Sequence, residues 1–209
     1  MNLIGNSCVS AFIIRDFLKE EYTNPFCWNI IDYKSMYNLI KYYDTINFLN
    51  YKLENSSINK NTFSVIIDKK VVVNYIHYIK DEKIDGLKFE KSNIFSNNIE
   101  KYIIEKYENR VRKMIFKKES PIFLLAAGYN QEYYYTDDEI NSILDLNSPY
   151  KIIISYDKCN VKPRGNSIIL NHNLKMNVDG VHFKLASFIS KNIFNIYIDE
   201  NSYEKPLMS

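Results

Sequence analysis

The chain has 209 residues, 46% hydrophobic and 25% charged, with 27 Lys and Arg against 25 Asp and Glu. That length supports one sizeable core, and no Pro-, Gly- or Ser-rich linker divides it, so a single domain over 1–209 is expected. A formal charge of +2 gives little long-range attraction for nucleic acid or an anionic membrane, and nucleic acid is not expected as a partner; local basic clusters stay open.

Three cysteines, Cys8, Cys27 and Cys159, without a CxxC arrangement, argue against a disulfide scaffold or structural zinc. The longest apolar runs fall short of a bilayer span, and the N terminus lacks a secretory pattern. A cytoplasmic protein without stable membrane insertion is expected. Oligomeric state is not legible from the residues.

Asn2 to Ile4 is a short apolar opening, and Cys8 to Lys19 carries Val9, Phe12, Ile13 and Leu18 at the spacing of a helix buried on one face. Asn24-Pro25-Phe26-Cys27-Trp28 joins a turn former to two aromatics, suited to packing on that helix or to lining a pocket. Thr62 to Ile67 and Val71 to Ile76 are rich in β-branched residues and read as strands, with Asp68-Lys69-Lys70 as a tight connection. Asn98 to Lys117 is a helix whose apolar positions are Ile99, Ile103, Ile104, Tyr107, Val111, Met114 and Ile115. On it, Arg110 and Arg112 suit a solvated face or recognition of an anion.

Pro121 resets the chain before Ile122 to Ala127, a run apolar enough for a central strand covered on both faces. Thr136 followed by Asp137, Asp138 and Glu139 is an N-cap with an acidic first turn, opening a helix that ends near Leu144. Lys151 to Ser155 and Ser167 to Leu170 read as strands and Phe183 to Ile193 as a helix, with His172 in a polar loop. This alternation predicts an α/β fold, a three-layer α/β/α sandwich with a mostly parallel central sheet, SGNH-like or Rossmann-like. Reactive groups in such folds collect beyond the carboxyl ends of the strands.

Gly5-Asn6-Ser7-Cys8 and Asp179-Gly180-Val181-His182 carry the chemistry. Ser7 and Cys8 are adjacent nucleophile candidates at a strand-to-helix turn, and the other reading is a capping serine beside a buried structural cysteine. A helix N terminus is expected to lower the Cys8 pKa. His182 is the preferred base, oriented by Asp179. His77 is either an alternative base or a half-buried histidine. Asn130, in Gly128-Tyr129-Asn130 after the strongest apolar strand, offers an amide to a developing oxyanion. The three histidines show no metal-ligand spacing, and neither GxxxxGK[ST] nor GxGxxG occurs.

Leu3-Ile4-Gly5-Asn6-Ser7-Cys8 and Pro25-Phe26-Cys27-Trp28 resemble the opening of a papain-like cysteine peptidase family encoded in bacterial genomes near surface-polysaccharide genes. In that family an acidic residue is common where Cys27 stands, and His77 and Arg110-Val111-Arg112 resemble later landmarks. The resemblance covers roughly the first 125 residues and implies a nucleophilic Cys8 working with His77 or His182.

Gly5-Asn6-Ser7, Gly128-Tyr129-Asn130 and Asp179-Gly180-Val181-His182 resemble three blocks of the SGNH ester hydrolase and acyltransferase superfamily. Asn6 stands where Asp is usual, and the superfamily's remaining glycine block has no match. This resemblance implies Ser7 as nucleophile, Asn130 as oxyanion donor, His182 as base and Asp179 as its orienter, with Gly5 shaping the nucleophile turn. It implies acyl transfer on an ester, such as O-acetyl hydrolysis or transfer on a bacterial surface glycan. Hydrolysis would need no cofactor; a transferase would take acetyl-coenzyme A as donor. The non-catalytic alternative is a glycan-binding or polysaccharide-assembly module.

Overall fold

The computed structural model describes residues 1–20, 23–55, 63–75, 97–127, 135–146, 150–156, 160–173 and 180–197. In chain order the elements are β1 (Asn2–Gly5), α1 (Val9–Phe12) running on into a π-helical turn (Ile13–Phe17), β2 (Asn29–Ile30), α2 (Tyr33–Tyr42), β3 (Tyr51–Asn55), β4 (Phe63–Ile67), β5 (Val71–Tyr75), α3 (Asn97–Lys117), β6 (Pro121–Ala127), α4 (Asp137–Leu144), β7 (Lys151–Tyr156), β8 (Ser167–His172) and α5 (Val181–Ile193).

Two four-stranded sheets result. One has the order β1-β6-β7-β8 with every neighbouring pair parallel, and the other is antiparallel with the order β2-β5-β4-β3. The expected α/β character and the parallel sheet hold. The second sheet is an addition, because β2 and β3 are too short or too polar to stand out, as is α2.

The parallel sheet is apolar on both faces, which is why its strands read as continuous hydrophobic runs rather than alternating ones. Leu3, Leu124, Ala126, Ile152 and Ile154 share one cluster with Val9 and Ile13 near the chain start and with Leu185, Ala186 and Ile189 of α5. Ile4, Phe123, Leu125 and Ile153 point the other way, into a cluster with Val111 and Met114 of α3, Ile140 and Ile143 of α4, and Phe63, Val65, Val71 and Val73 of the antiparallel sheet. Successive β residues face opposite sides, so each strand serves both clusters.

Local signals account for several boundaries. Thr136 caps α4 reciprocally: its Oγ accepts from the Glu139 N–H at 3.2 Å and its own N–H donates to the Glu139 carboxylate at 2.8 Å. On α3, Ile103, Tyr107, Val111 and Met114 are buried as the periodicity requires, but Ile115 is half exposed. The first helix ends at Phe17 rather than Lys19, and its second half is π-helical, a form concentrated at functional sites. Among the described residues no helix is long and apolar enough to cross a membrane.

β4 and β5 form a hairpin whose turn places Asp68 at φ +49° and Lys69 at φ +55°, closed by the Lys70 N–H donating to the Ile67 carbonyl at 2.9 Å. Both central residues being left-handed is the type I′ geometry that matches strand twist and favours Asn-Gly. Asp68 has its own reason to stay, since it accepts from Asn50 Nδ2 and pairs with Lys70. Lys69 has none described. Lys69→Gly is therefore expected to raise stability by about 0.5 kcal/mol, relief of the left-handed penalty exceeding the added unfolded-state entropy; a lower chemical-denaturation midpoint would contradict it.

Candidate functional site

The Gly5–Cys8 segment lies where β1 leaves the parallel sheet and turns into α1. A Cβ on Gly5 would stand 2.7 Å from both Cβ and Oγ of Ser10, so glycine here serves the close approach of the first helical turn to the strand end. Asn6 ties the turn to β6. Its Oδ1 accepts from the Ala126 N–H at 2.9 Å, while its Nδ2 donates to the Ala126 carbonyl at 3.5 Å and to Tyr135 Oη at 3.2 Å. Its backbone carbonyl accepts from the Ile31 N–H at 3.0 Å, so the end of β2 runs alongside the turn.

Ser7 is 5% exposed. Its Oγ accepts from the Val9 N–H at 3.4 Å, and its carbonyl accepts from the Ser10 hydroxyl at 3.2 Å. These contacts tie Ser7 to the first turn of α1, whose N-cap position is Cys8, and the Ser7 hydroxyl proton is committed to no acceptor among the described residues.

Cys8 is 2% exposed, with Sγ 4.0 Å from the Asn29 carbonyl oxygen. Burial pushes its thiol up to about 12, and the neighbouring Cys27 adds to the rise. This reverses the expectation that a helix N terminus lowers the Cys8 pKa: the stretch of regular α-helix spans only four residues, and withdrawing a thiolate from water outweighs its dipole. Cys27 is pushed up to about 11, again by burial, with Arg110 opposing.

Both thiols are thus protonated at neutral pH. Native-state alkylation of Cys8 at pH 7 is expected to run roughly 10³-fold below that of a free thiol, whose pKa is near 8.5. Because the folded-state pKa values are raised, the two groups' contribution to stability is intact below about pH 8.5 and lost as pH climbs through 11 and 12. Mass spectrometry of alkylated protein, native and denatured, checks this; rapid native labelling of Cys8 at pH 7 would refute it.

His182 occupies the first turn of α5, after Gly180 at φ +77°, whereas the sequence places the helix start at Phe183. The first helix packs on α5, and the rings of Phe12 and His182 stack at 6.4 Å between centroids. The first helix, which follows Ser7 and Cys8, and α5, which carries His182, therefore lie together on one flank of the parallel sheet. Among the described residues no hydrogen bond joins His182 to Ser7 Oγ or Cys8 Sγ. Asn130, Asp179 and His77 lie outside the described residues, as do Gly128 and Cys159.

Around His182 the surface is aromatic. Phe12 meets Trp28 edge-on at 5.2 Å, and the Arg15 guanidinium stands 4.8 Å from the Trp28 ring and 5.6 Å from the Phe12 ring while pairing with Asp16 at 2.7 Å. Trp28 holds φ at +62°, a conformation uncommon for a bulky residue. The rest of its segment is core: Phe26 and Cys27 are buried, and Asn24 fastens the turn to β1 by donating to the Leu3 carbonyl at 2.6 Å.

Two residues differ from expectation in kind. His172 is not in a polar loop but ends β8, buried near the Phe188 ring, and burial lowers its pKa. Arg110 comes close enough to Cys27 for its charge to oppose the thiol's upward shift, whereas Arg112 is exposed and pairs with Glu108 at 3.6 Å. A third residue goes unmarked by any sequence pattern. Asn29 is 0% exposed, its backbone contacts Cys8, and neither its Oδ1 nor its Nδ2 has a hydrogen-bond partner among the described residues. A buried amide left so costs about 1–3 kcal/mol, so its retention calls for a compensating role.

No family model, curated protein or solved structure matches the chain. Among the described residues no three His, Cys, Asp or Glu side chains cluster closely enough to hold a metal ion.

Proposed function

We propose that this protein is an acyl-transfer enzyme acting on an ester, with Ser7 as nucleophile and His182 as base. The observation that carries the reading is the contact of the first helix, which begins just after Ser7, with α5, and the stacking of its Phe12 on His182. Ser7 is preferred to Cys8 because its hydroxyl proton has no acceptor among the described residues, whereas Cys8 is 2% exposed and burial pushes its thiol up to about 12.

In the reaction, Ser7 Oγ bonds to the ester carbonyl carbon as its proton passes to His182. The tetrahedral oxyanion is stabilised by the Asn29 amide and by the Asn130 amide. Collapse expels the alcohol, which takes the proton from His182 and leaves an acyl-serine. Water then completes hydrolysis without a cofactor, or a sugar hydroxyl completes transfer, with acetyl-coenzyme A as the donor in that direction. Asp179 orients His182. The substrate class proposed is an O-acetylated bacterial surface glycan, met in the cytoplasm. The coverage of both faces of the parallel sheet supports a three-layer α/β/α reading of the fold.

A second reading, non-catalytic glycan binding, is favoured by one observation: the half-exposed Phe12–Trp28–Arg15 surface beside His182, suited to stacking on sugar faces. Incubation with a fluorophosphonate and, separately, a thiol alkylator, followed by peptide mass spectrometry, separates the cases. Selective adduct at Ser7 supports the ester hydrolase, selective adduct at Cys8 the cysteine hydrolase or peptidase. No enhanced reactivity at either leaves Ser7 with a structural role only and favours the binding module.

A further inference from the structure

We propose that the C-terminal end of α3 is a docking surface for an anionic phospholipid bilayer, on which the protein rests without spanning it. Phe116 is 87% exposed and Ile115 50%. At roughly 100° per residue, Phe116 stands nearly opposite the buried stripe of Ile103, Tyr107, Val111 and Met114, so no adjustment of the helix returns it to the core.

Cations surround the two apolar side chains. Arg112 and Lys113 lie one turn before Phe116 on the same face, and Lys117 and Lys118 follow it. Arg112 is paired with Glu108 at 3.6 Å and Lys117 with Glu20 at 3.2 Å. Lys113 and Lys118 are exposed and have no ion pair among the described residues. The nearby carboxylates are committed elsewhere, Glu105 to Lys101 at 3.9 Å and Glu119 to the Met1 ammonium at 2.8 Å. The local surplus is therefore positive although the chain as a whole is nearly neutral.

Lysines in the last turn also complement the helix dipole, but that accounts for neither the phenylalanine nor the isoleucine. An apolar pair flanked by cations, two of them without an ion pair among the described residues, matches the boundary between acyl chains and anionic headgroups. A second copy of the chain fits less well, since a two-fold contact through Phe116 would set like charges against each other.

The test uses the full chain and sedimentation with vesicles of phosphatidylglycerol and phosphatidylcholine in equal parts, against phosphatidylcholine alone. Binding is expected to the anionic vesicles only, and to be lost between about 0.01 M and about 0.5 M salt. Phe116→Ser is expected to weaken partitioning roughly tenfold, and Lys113→Gln with Lys118→Gln roughly 30-fold, each with an unchanged circular dichroism spectrum. Phe116→Trp should show a blue-shifted emission when anionic vesicles are added. The proposal is overturned by absence of binding to the anionic vesicles, by equal binding of Phe116→Ser, by Phe116-dependent self-association in place of vesicle binding, or by Phe116-dependent binding of single-stranded DNA without vesicle binding.

Discussion

Ser7→Ala is expected to lower hydrolysis of an activated acetyl ester by about 10⁴-fold or more, the loss usual when a triad nucleophile is removed, and to abolish fluorophosphonate labelling. The structural cost is small. The lost contact is one long hydrogen bond, Val9 N–H to Ser7 Oγ at 3.4 Å, so a fall of about 1 kcal/mol in stability accompanies it. Cys8→Ala is the matched control. It removes a buried thiol held up to about 12 and is expected to cost about 1 kcal/mol while leaving labelling at Ser7 within a few-fold of the parent. The opposite pattern, activity kept in Ser7→Ala and lost in Cys8→Ala, would transfer the nucleophile to the thiol. Steady-state rates with both variants, beside their unfolding midpoints, decide between them.

Asn6→Asp carries the largest expected effect on stability, about 3 kcal/mol at neutral pH, or roughly 10 °C in Tm for a chain of this size. The Asn6 amide is read in both directions by one residue, since Ala126 offers an N–H to Oδ1 and a carbonyl to Nδ2. A carboxylate keeps the first bond and turns the second into an oxygen facing an oxygen, in a buried site. Its folded-state pKa is therefore raised above the ordinary value of about 3.9. The folded state then holds a proton that the unfolded chain releases. The penalty is small below about pH 4 and grows as pH rises from there through the raised value. Unfolding measured at pH 4 and pH 7 should show the variant's deficit widening with pH; a constant deficit would contradict this account. The same geometry explains why asparagine suits this position.

Elements with strong local signals were legible in the residues. The apolar run of β6, the Thr136 cap of α4 and the stripe of α3 through Met114 all appear where periodicity and capping place them. The signal weakens where an element is two residues long, as β2 is, or polar along its length, as β3 is. Ile115 fits the apolar period of α3 yet sits at its edge, and His172 looks like a loop histidine because its neighbours are asparagines. For His172 the deciding neighbour, Phe188, is remote in sequence.

The candidate site divides along the same line. Residue types and spacing by themselves determined a turn of small residues after the first strand, a histidine near the last helix, and an α/β alternation between them. Hydrogen-bond periodicity, caps and turn chemistry act over a few residues and so are written locally. Only the tertiary structure decided that β1 lies beside β6, that the first helix meets α5 so that Phe12 covers His182, that Cys8 is withdrawn from water, and that Asn29 and Phe116 fall on opposite sides of the usual rule for polar and apolar side chains. Burial and strand pairing depend on partners as far apart as residues 6 and 126, and that distance is closed only when the chain folds.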